Sequence, residues 1–111
     1  MKIHIKNNSV YPERIFAIGR GSYGFDRLEF VFSKEWRSLS KRIIFVSPSG
    51  ERIAVSLDSS SVQIPRSILA TRGKNLIFVV GTRGVDTLVS ASIELWVTGE
   101  APEESEASNE R

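Results

Sequence analysis

The chain has 111 residues, of which 41% are hydrophobic and 25% charged, so it can form one domain with its own core. It contains no cysteine and a single histidine, His4, which excludes disulfides, cysteine nucleophiles and metal sites built on thiolates or several histidines. No run approaches the roughly 18 apolar residues of a membrane span, and the N-terminal segment lacks the apolar region of a signal peptide. We expect no membrane partner.

The formal charge of +2 combines two unlike parts of the chain. Residues 100–111 hold five Glu and one Arg, so residues 1–99 hold 14 of the 15 bases and eight of the 13 acids. We predict a folded domain over residues 1–99 and a disordered acidic tail over 100–111, because the tail has too few apolar residues to form a core. A basic body can attract nucleic acid. Without any block of five or more Lys and Arg, however, we do not expect nucleic acid as a partner.

Short apolar segments follow one another along the chain, separated by Gly, Pro, Asn and Ser. In Lys2–Lys6 the apolar residues Ile3 and Ile5 share one face, which is typical of a half-buried strand, and Asn7-Asn8-Ser9 then predicts a turn. Strands are predicted at Lys2–Lys6, Arg14–Ile18, Asp26–Phe32, Arg42–Val46, Glu51–Leu57, Ser61–Pro65, Leu76–Val80 and Thr87–Val97. Strands at roughly 8–12-residue spacing predict an all-β fold, namely a single antiparallel, immunoglobulin-like β-sandwich, with a small barrel as the alternative.

One short helical turn is predicted near residues 65–71, after Pro65 and before Gly73. It carries Ile68 and Leu69, which we expect to be buried at one end of the core. The apolar segment Leu76–Val80 is expected to be a central strand, closed by a turn over Gly81–Gly84.

Residues 19–24 form a literal G-x-G-x-x-G, which in nucleotide-binding proteins surrounds phosphates. A dinucleotide site needs a helix directly after the last glycine, and here a predicted strand follows. A kinase needs further motifs that the chain lacks. We therefore interpret the glycines as a wide loop, and we predict no catalytic, cofactor-binding or metal-binding residues and no cofactor. The scattered carboxylates likewise single out no catalytic pair, so we do not expect an enzyme.

Five residues are candidates for contact with a partner: Trp96, Trp36, Arg20, Arg72 and Arg83. An exposed Trp can anchor a protein partner or stack on a sugar ring. Trp96 lies opposite the predicted inward face of the last strand, whereas Trp36 has the alternative role of plugging one end of the core. The three arginines lie in glycine-containing loops, where they can reach a partner or serve only solubility.

Three segments in a fixed order resemble the small β-sandwich modules of bacteriophage virion proteins, such as baseplate, tail-fibre and head-fibre proteins. The first is the strand Asp26–Phe30 after a glycine loop, with Trp36 and Lys41 behind it. The second is the turn and strand Pro48–Leu57, with Asp58 after it. The third comprises Val62–Pro65, Ile68-Leu69, Gly73, the strand from Leu76, and Gly81–Gly84.

The resemblance implies a non-enzymatic structural protein of the virion, synthesised in the cytoplasm of a host bacterium. Its implied partners are other virion proteins and further copies of itself, in a tail, baseplate or fibre accessory. Two alternatives are a capsid decoration protein and a carbohydrate-binding module that contacts host surface glycans through Trp96 or Trp36.

Overall fold

The computed structural model describes residues 1–24 and 27–99, and within them the protein is mostly β-strand. The strands are β1 (Lys2–Lys6), β2 (Ser9–Tyr11), β3 (Ile15–Gly19), β4 (Arg27–Phe32), β5 (Ser40–Val46), β6 (Arg52–Leu57), β7 (Ser61–Gln63), β8 (Gly73–Arg83), β9 (Asp86–Val89) and β10 (Ile93–Thr98). The helical elements are one 3₁₀ turn, Lys34–Trp36, and α1, Arg66–Leu69. The all-β prediction is confirmed. The predicted acidic tail lies outside the described residues, as does Asp26, the first residue of the predicted strand Asp26–Phe32.

The strands form two sheets. The small sheet has the order β2-β1-β4-β7, and the large sheet has the order β3-β10-β8-β5-β6, with β9 also paired to β8. Two pairs are parallel, β1 with β4 and β3 with β10, and the other pairs are antiparallel. The prediction of a purely antiparallel arrangement is therefore wrong.

The mixed pairing follows from the path of the chain between the sheets. After the β1–β2 hairpin the chain crosses to the edge of the large sheet as β3 and then returns to the small sheet as β4. Parallel neighbours need such a long connection, because a tight hairpin can only join antiparallel strands. The strand at residues 15–19 supplies that connection.

One hydrophobic core contains residues from both sheets. Ile3, Ile5 and Phe30 come from the small sheet, and Phe45 and Ile77 are among those from the large sheet. Each fully buried side chain of this size contributes about 1.5–3 kcal/mol relative to its exposed state. This single shared core makes the arrangement sandwich-like.

The core is closed at its two ends by the helical elements. Ile68 and Leu69 of α1 are each 3% exposed, which confirms the prediction that they are buried. Trp36 of the 3₁₀ turn lies at the opposite end of β8, where a Cβ built on Gly81 would be 2.9 Å from Trp36 Cζ3. Gly81 is buried, and its missing side chain makes room for the indole.

The strand Leu76–Val80 is central, as predicted, because β8 lies between β10 and β5. β8 is longer than expected, however, and extends through Arg83. The predicted turn at Gly81–Gly84 is therefore mostly strand, and the hairpin to β9 is formed by Gly84 and Val85. Gly84 has a φ of +62°, a left-handed conformation that favours glycine.

The predicted strand Thr87–Val97 is two strands, with a break over residues 90–92. The break has a specific cause in Ser90. The backbone N–H of Val79 donates to Ser90 Oγ at 2.9 Å, so a side chain replaces a carbonyl as the acceptor there. The N–H of Ser90 in turn donates to the carbonyl of Val79 at 2.9 Å.

The segment Ser9–Tyr11, whose first residue was predicted to lie in a turn, is a strand paired with β1. The reversal between the two strands needs Asn7 at a φ of 55°, which Asn tolerates better than most residues. The strand has three residues, and a pattern of that length is too short to separate from a turn by alternation.

Candidate functional site

The outer face of the large sheet is the strongest candidate for a functional surface. Its middle is formed by three cross-strand pairs of β5 and β8, which are Ile44 with Phe78, Val46 with Leu76, and Arg42 with Val80. We use the name outer face for these six residues together with Ile15, Ala17, Arg52, Ala54, Ser56, Lys74, Val89, Glu94 and Trp96, which the register places on the same side.

The local sequence explains why this side is apolar. Residues 43–46 read Ile-Ile-Phe-Val and residues 76–80 read Leu-Ile-Phe-Val-Val, without a polar residue in either run. Since successive side chains of a strand point to opposite faces, an unbroken apolar run makes both faces apolar. Strands of this kind are typical of sheets that are covered on both sides.

The described part of the chain nevertheless leaves the outer face open to solvent. Ile15 is 63% exposed, Val89 47% and Trp96 41%, while the residues in the middle, such as Phe78, are half-buried by their neighbours. A shallow hollow of about 320 Å³ lies in the face and is lined by Ile44, Phe78, Val80, Val89 and Arg52. Exposed apolar residues that are contiguous, and not scattered singly, are a mark of interaction sites.

Charged residues flank the apolar middle. At one level of the sheet, neighbouring strands carry Arg52, Val46, Leu76 and Glu94 in that order from β6 to β10. A cation and an anion therefore lie on opposite sides of two apolar residues. The carboxylate of Glu94 also accepts a hydrogen bond from Nε1 of Trp96 at 3.1 Å, which fixes the edge of that indole.

Of the predicted contact residues, Trp96 and Arg72 lie together. They line a second hollow, of about 400 Å³, with residues from the end of β10. Arg20 is close to the same end, since its N–H donates to the carbonyl of Thr98 at 2.7 Å. Its guanidinium Nε donates to the carbonyl of Ala70 at 3.0 Å, an intramolecular role that sequence reasoning missed.

Arg83 lies at the other end of β8, remote from Trp96 along that strand. Its Nη1 donates to Ser38 Oγ at 2.8 Å, and its Nη2 is 3.9 Å from Asp86 Oδ2. Arg72 and Arg83 are both exposed, as predicted. Their contact with a partner, like that of Arg20 and Trp96, stays a prediction.

Trp36 has the core position that was its alternative interpretation. It is fully buried, tilted against Phe32 with 5.3 Å between ring centroids, and its Nε1 donates to the carbonyl of Asn7 at 2.7 Å. This hydrogen bond satisfies the one polar atom of the indole, so the ring is stable in the core. A side chain without exposed surface cannot be a contact residue in this conformation, so the structure does not support the prediction for Trp36.

The loop with the G-x-G-x-x-G spacing has two glycines in left-handed conformations, Gly21 and Gly24, each with a φ of 88°. The next regular element is β4, which begins at Arg27, and it is a strand. Among the described residues, no group of three or more His, Cys, Asp or Glu side chains could hold a metal ion. The helical elements within residues 1–24 and 27–99 are too short to cross a membrane.

One buried polar side chain is only partly hydrogen-bonded within the described residues. Asn75 is fully buried on β8, and its Nδ2 donates to the carbonyl of Leu95 at 3.3 Å, whereas its Oδ1 accepts no hydrogen bond from the described residues. Asn75 lines a small hollow of about 170 Å³ with four hydroxyl-bearing residues, including Ser67 and Thr71. This hollow lies at the end of the core beside α1.

The central residues of the outer face, Ile44, Phe78 and Val80, were missed by sequence reasoning. The signal that could have identified them is the pair of unbroken apolar runs, because a strand that packs on one core face needs only every second residue to be apolar.

Comparison of the chain with known proteins found no matching protein-family model and no matching curated protein.

Proposed function

We propose that the chain is a non-enzymatic structural protein of a bacteriophage particle, where it acts through protein–protein contacts as a tail, baseplate or fibre accessory. The observation that carries the assembly role is the exposed apolar outer face of the large sheet. The phage setting comes from the resemblance of the Asp26–Phe30, Pro48–Leu57 and Val62–Gly84 segments to virion sandwich modules. Such a protein resides in the virion after synthesis in the bacterial cytoplasm.

The energetics favour assembly. Apolar surface gains about 25 cal/mol for each Å² that is removed from water, so a partner that covers Phe78, Ile44 and their neighbours lowers the free energy of the complex. Among the described residues, the large sheet also has open edges at β3 and β6. Open edges are a hazard that assembly can relieve by covering their unpaired N–H and C=O groups.

We also propose that the fold is immunoglobulin-like. If β4, β5, β7, β8 and β10 are equated with strands B, C, E, F and G of that fold, the large sheet has the neighbours G-F-C and the small sheet has the neighbours B-E. The same neighbours occur in immunoglobulin sandwiches. The parallel pairing of β1 with β4 departs from that pattern.

Two alternative functions are also proposed, a capsid decoration protein and a carbohydrate-binding module. A capsid decoration protein would use the same outer face, so the face alone does not separate head from tail. A carbohydrate-binding module is favoured by one observation, which is that Trp96 is partly exposed beside a hollow shared with Arg72. An indole in such a place can stack on a sugar ring while the guanidinium binds its hydroxyls.

The test is whether the chain is part of the particle. Particles would be purified from the phage or lysogen that encodes it, heads and tails would be separated on a density gradient, and the chain would be quantified by mass spectrometry against the major virion proteins. We expect a fixed number of copies per particle in the tail fraction. Recovery in the head fraction would support the decoration role. A chain that accumulates in the lysate but is absent from particles would overturn the proposal.

The sugar alternative needs its own measurement. Titration of host cell-wall glycan into the wild-type protein and into the Trp96→Ala variant would be followed by calorimetry. Binding that is lost with the indole would support the carbohydrate module, and absence of binding by the wild-type protein would remove it.

A further inference from the structure

We infer that the outer face binds the same face of a second copy of this chain, in a symmetric dimer whose two-fold axis runs parallel to β8. The inference rests on the proposed assembly function, and it names the partner. A two-fold dimer uses one patch on both subunits, so the patch must be complementary to itself. Three properties of the outer face meet that requirement.

The first property is its apolar middle. Phe78 and Ile44 are directly opposite each other on the two central strands, and Leu76 and Val46 are the next pair. A partner that covers them must itself be apolar at that place. A second copy brings the same two pairs and forms a layer of side chains like that of a sandwich core.

The second property is its size. Five strands spaced about 4.8 Å apart, with their side chains, span about 24 Å, and a strand of seven residues, the length of β5, spans about 23 Å. The face therefore has a projected area of roughly 550 Å², and the uneven surface of side chains has a larger accessible area than its projection. This approaches the roughly 800 Å² per partner that stable interfaces bury.

The third property is the order of charges across the sheet. On the level of Leu76, Arg52 lies two strands away on one side and Glu94 lies one strand away on the other. A two-fold axis parallel to β8 reverses this order in the partner. Glu94 of each subunit then lies over β5 of the other, next to the partner's Arg52, and two symmetric ion pairs flank the apolar contact.

The alternative axis in the plane of the interface, perpendicular to β8, would not reverse the order. Where it crosses the level of Leu76, it would place Arg52 opposite the partner's Arg52 and Glu94 opposite the partner's Glu94. Like charges that face each other across an interface disfavour it. Of the two axes, only the one parallel to β8 brings Arg52 and Glu94 of different subunits together, so the distribution of these charges favours it.

The remaining charged residues of the face are compatible with that axis. Arg42 would lie over the partner's Val89, where the alkyl part of the side chain packs and the guanidinium reaches water. Lys74 lies on β8, so this axis brings it over the partner's Lys74 near the start of that strand, at the edge of the face. Its ammonium group can extend past the contact into solvent.

The experiment measures the mass of the full chain by sedimentation equilibrium. The chain has a mass of 12.4 kDa, and we expect a mass close to twice that value at about 100 µM concentration. Glu94→Arg and Arg52→Glu are each expected to weaken the dimer about tenfold, since each change makes two attractive pairs repulsive. Glu29→Arg, an exposed Glu on the small sheet, is the matched control and should leave the dimer unchanged.

The decisive step is to mix the two single variants. In a mixed dimer every pair is again of opposite sign, so Glu94→Arg and Arg52→Glu chains should associate with each other about as tightly as the wild type. The double variant should also regain its dimer. Circular dichroism of each variant establishes that it is folded before its mass is interpreted.

A monomeric wild-type chain at 100 µM concentration, about a hundred times the dissociation constant of a typical micromolar contact, would overturn the inference. A dimer that is insensitive to both single variants, or that the mixture fails to restore, would also overturn it. These outcomes are separate from the proposed function. A monomer that is found in purified particles leaves the virion role in place and removes only the dimer, whereas a dimer absent from particles does the reverse.

Discussion

The outer faces of the two sheets differ, although both sheets contribute to one core. On the small sheet the outward residues of β1 are Lys2, His4 and Lys6, and those of β4 begin with Arg27 and Glu29. On the large sheet the outward residues at the centre are mostly apolar. The outer face of the small sheet is therefore polar and solvated, whereas the outer face of the large sheet, like its inner face, is apolar at its centre.

The small sheet has the residue pattern that folding alone requires, whereas the large sheet has apolar outward residues in addition to that pattern. Alternation of apolar and polar residues is sufficient for a sheet that packs on one side and meets water on the other. The small sheet follows that rule apart from single residues such as Val31, which is 42% exposed. Isolated apolar residues at the surface are normal. The contiguous apolar middle of the large sheet is not required by the core, so it is available for another purpose.

The largest expected effect on stability comes from substituting two adjacent residues of β5, one on each face of the large sheet. Ile43 is fully buried on the inner face, and Ile44 is half-buried on the outer face. We expect Ile43→Ala to lower the free energy of unfolding by about 2–5 kcal/mol, since it opens a cavity in the core. Ile44→Ala should cost about 1 kcal/mol or less, because the removed atoms are only partly out of water.

Chemical denaturation at submicromolar protein concentration measures both values without a contribution from association. The two variants share the residue type, the strand and the substitution, so each is the control for the other. Equal losses of stability would mean that the outer face is part of the folding core, and the distinction between the two faces would be wrong.

A second test concerns the end of the core at Gly81. A Cβ at this position would lie 2.7 Å from Leu39 Cδ1 and 2.9 Å from Trp36 Cζ3. We expect Gly81→Ala to lower the free energy of unfolding by about 1–3 kcal/mol, because a buried indole has little room to move. The clash should depend on the size of the neighbouring ring.

A double-mutant cycle with Trp36→Phe measures that dependence. Trp36→Phe should cost less stability in the Gly81→Ala background than in the wild type, because the smaller ring relieves the contact. Additive costs in denaturant unfolding would show that the two residues do not press on each other, and would contradict the closure of the core by Trp36.

The sequence was sufficient for those parts of the fold that depend on local pattern. The alternation in β1 and β4 and the apolar residues of β8 placed their strands correctly, and Pro65 with Gly73 framed the helical turn. The turn signal at Ser47–Gly50 also predicted the hairpin of β5 and β6, which is confirmed. Which strands become neighbours through long connections was not accessible in this way. The parallel pairing of residues 2–5 with 29–32 depends on the chain crossing between sheets, and side-chain periodicity carries no information on direction.

The candidate surface was predictable only at one residue. Trp96 was assigned to the outward side because three apolar residues of β10 already filled the inward side. For β5 and β8 the same reasoning fails, because an unbroken run such as Ile-Ile-Phe-Val looks alike whether its second face is covered by the same chain or is open. The burial of Trp36 was left between two interpretations, because a Trp between strands can face either way.

A third test compares the outer faces with one substitution on each. Val80 and Val31 are both outward valines, on β8 of the large sheet and on β4 of the small sheet. We expect Val80→Lys to abolish self-association, since it places a cation in the middle of the apolar contact. Val31→Lys should leave association unchanged, and both variants should change the free energy of unfolding of the monomer by less than about 1 kcal/mol.

Sedimentation velocity over a concentration series gives the association, and thermal unfolding of dilute samples gives the stability. Loss of association in both variants, or in neither, would mean that the two faces do not differ as interaction surfaces. That result would remove the main argument for the outer face.

The smallest expected effect lies on the solvated side, near the turn that links β4 to the 3₁₀ element. The hydroxyl of Ser33 donates to the carboxylate of Glu35 and accepts from the N–H of Asn7 at 3.1 Å. The hydrogen bond from the hydroxyl of Ser33 is the main cause that lowers the pKa of Glu35, and a hydrogen bond from the backbone N–H of Glu35 is the second. A carboxyl whose pKa is lower in the folded state contributes stability above its ordinary pKa, and that contribution is lost as the pH falls through the lowered value.

We therefore expect Ser33→Ala to raise the pKa of Glu35 towards the ordinary value of a glutamate, as followed by the carboxyl resonance in an NMR titration. Ser33→Thr keeps a hydroxyl and should keep the lowered pKa. An unchanged pKa in Ser33→Ala would show that the backbone N–H of Glu35 and the charges of Lys34 and Lys6, and not the hydroxyl of Ser33, determine it. Because the carboxylate of Glu35 is exposed to water, Ser33→Ala should leave self-association at the outer face unchanged. That result would show that this solvated side of the molecule does not affect association at the outer face.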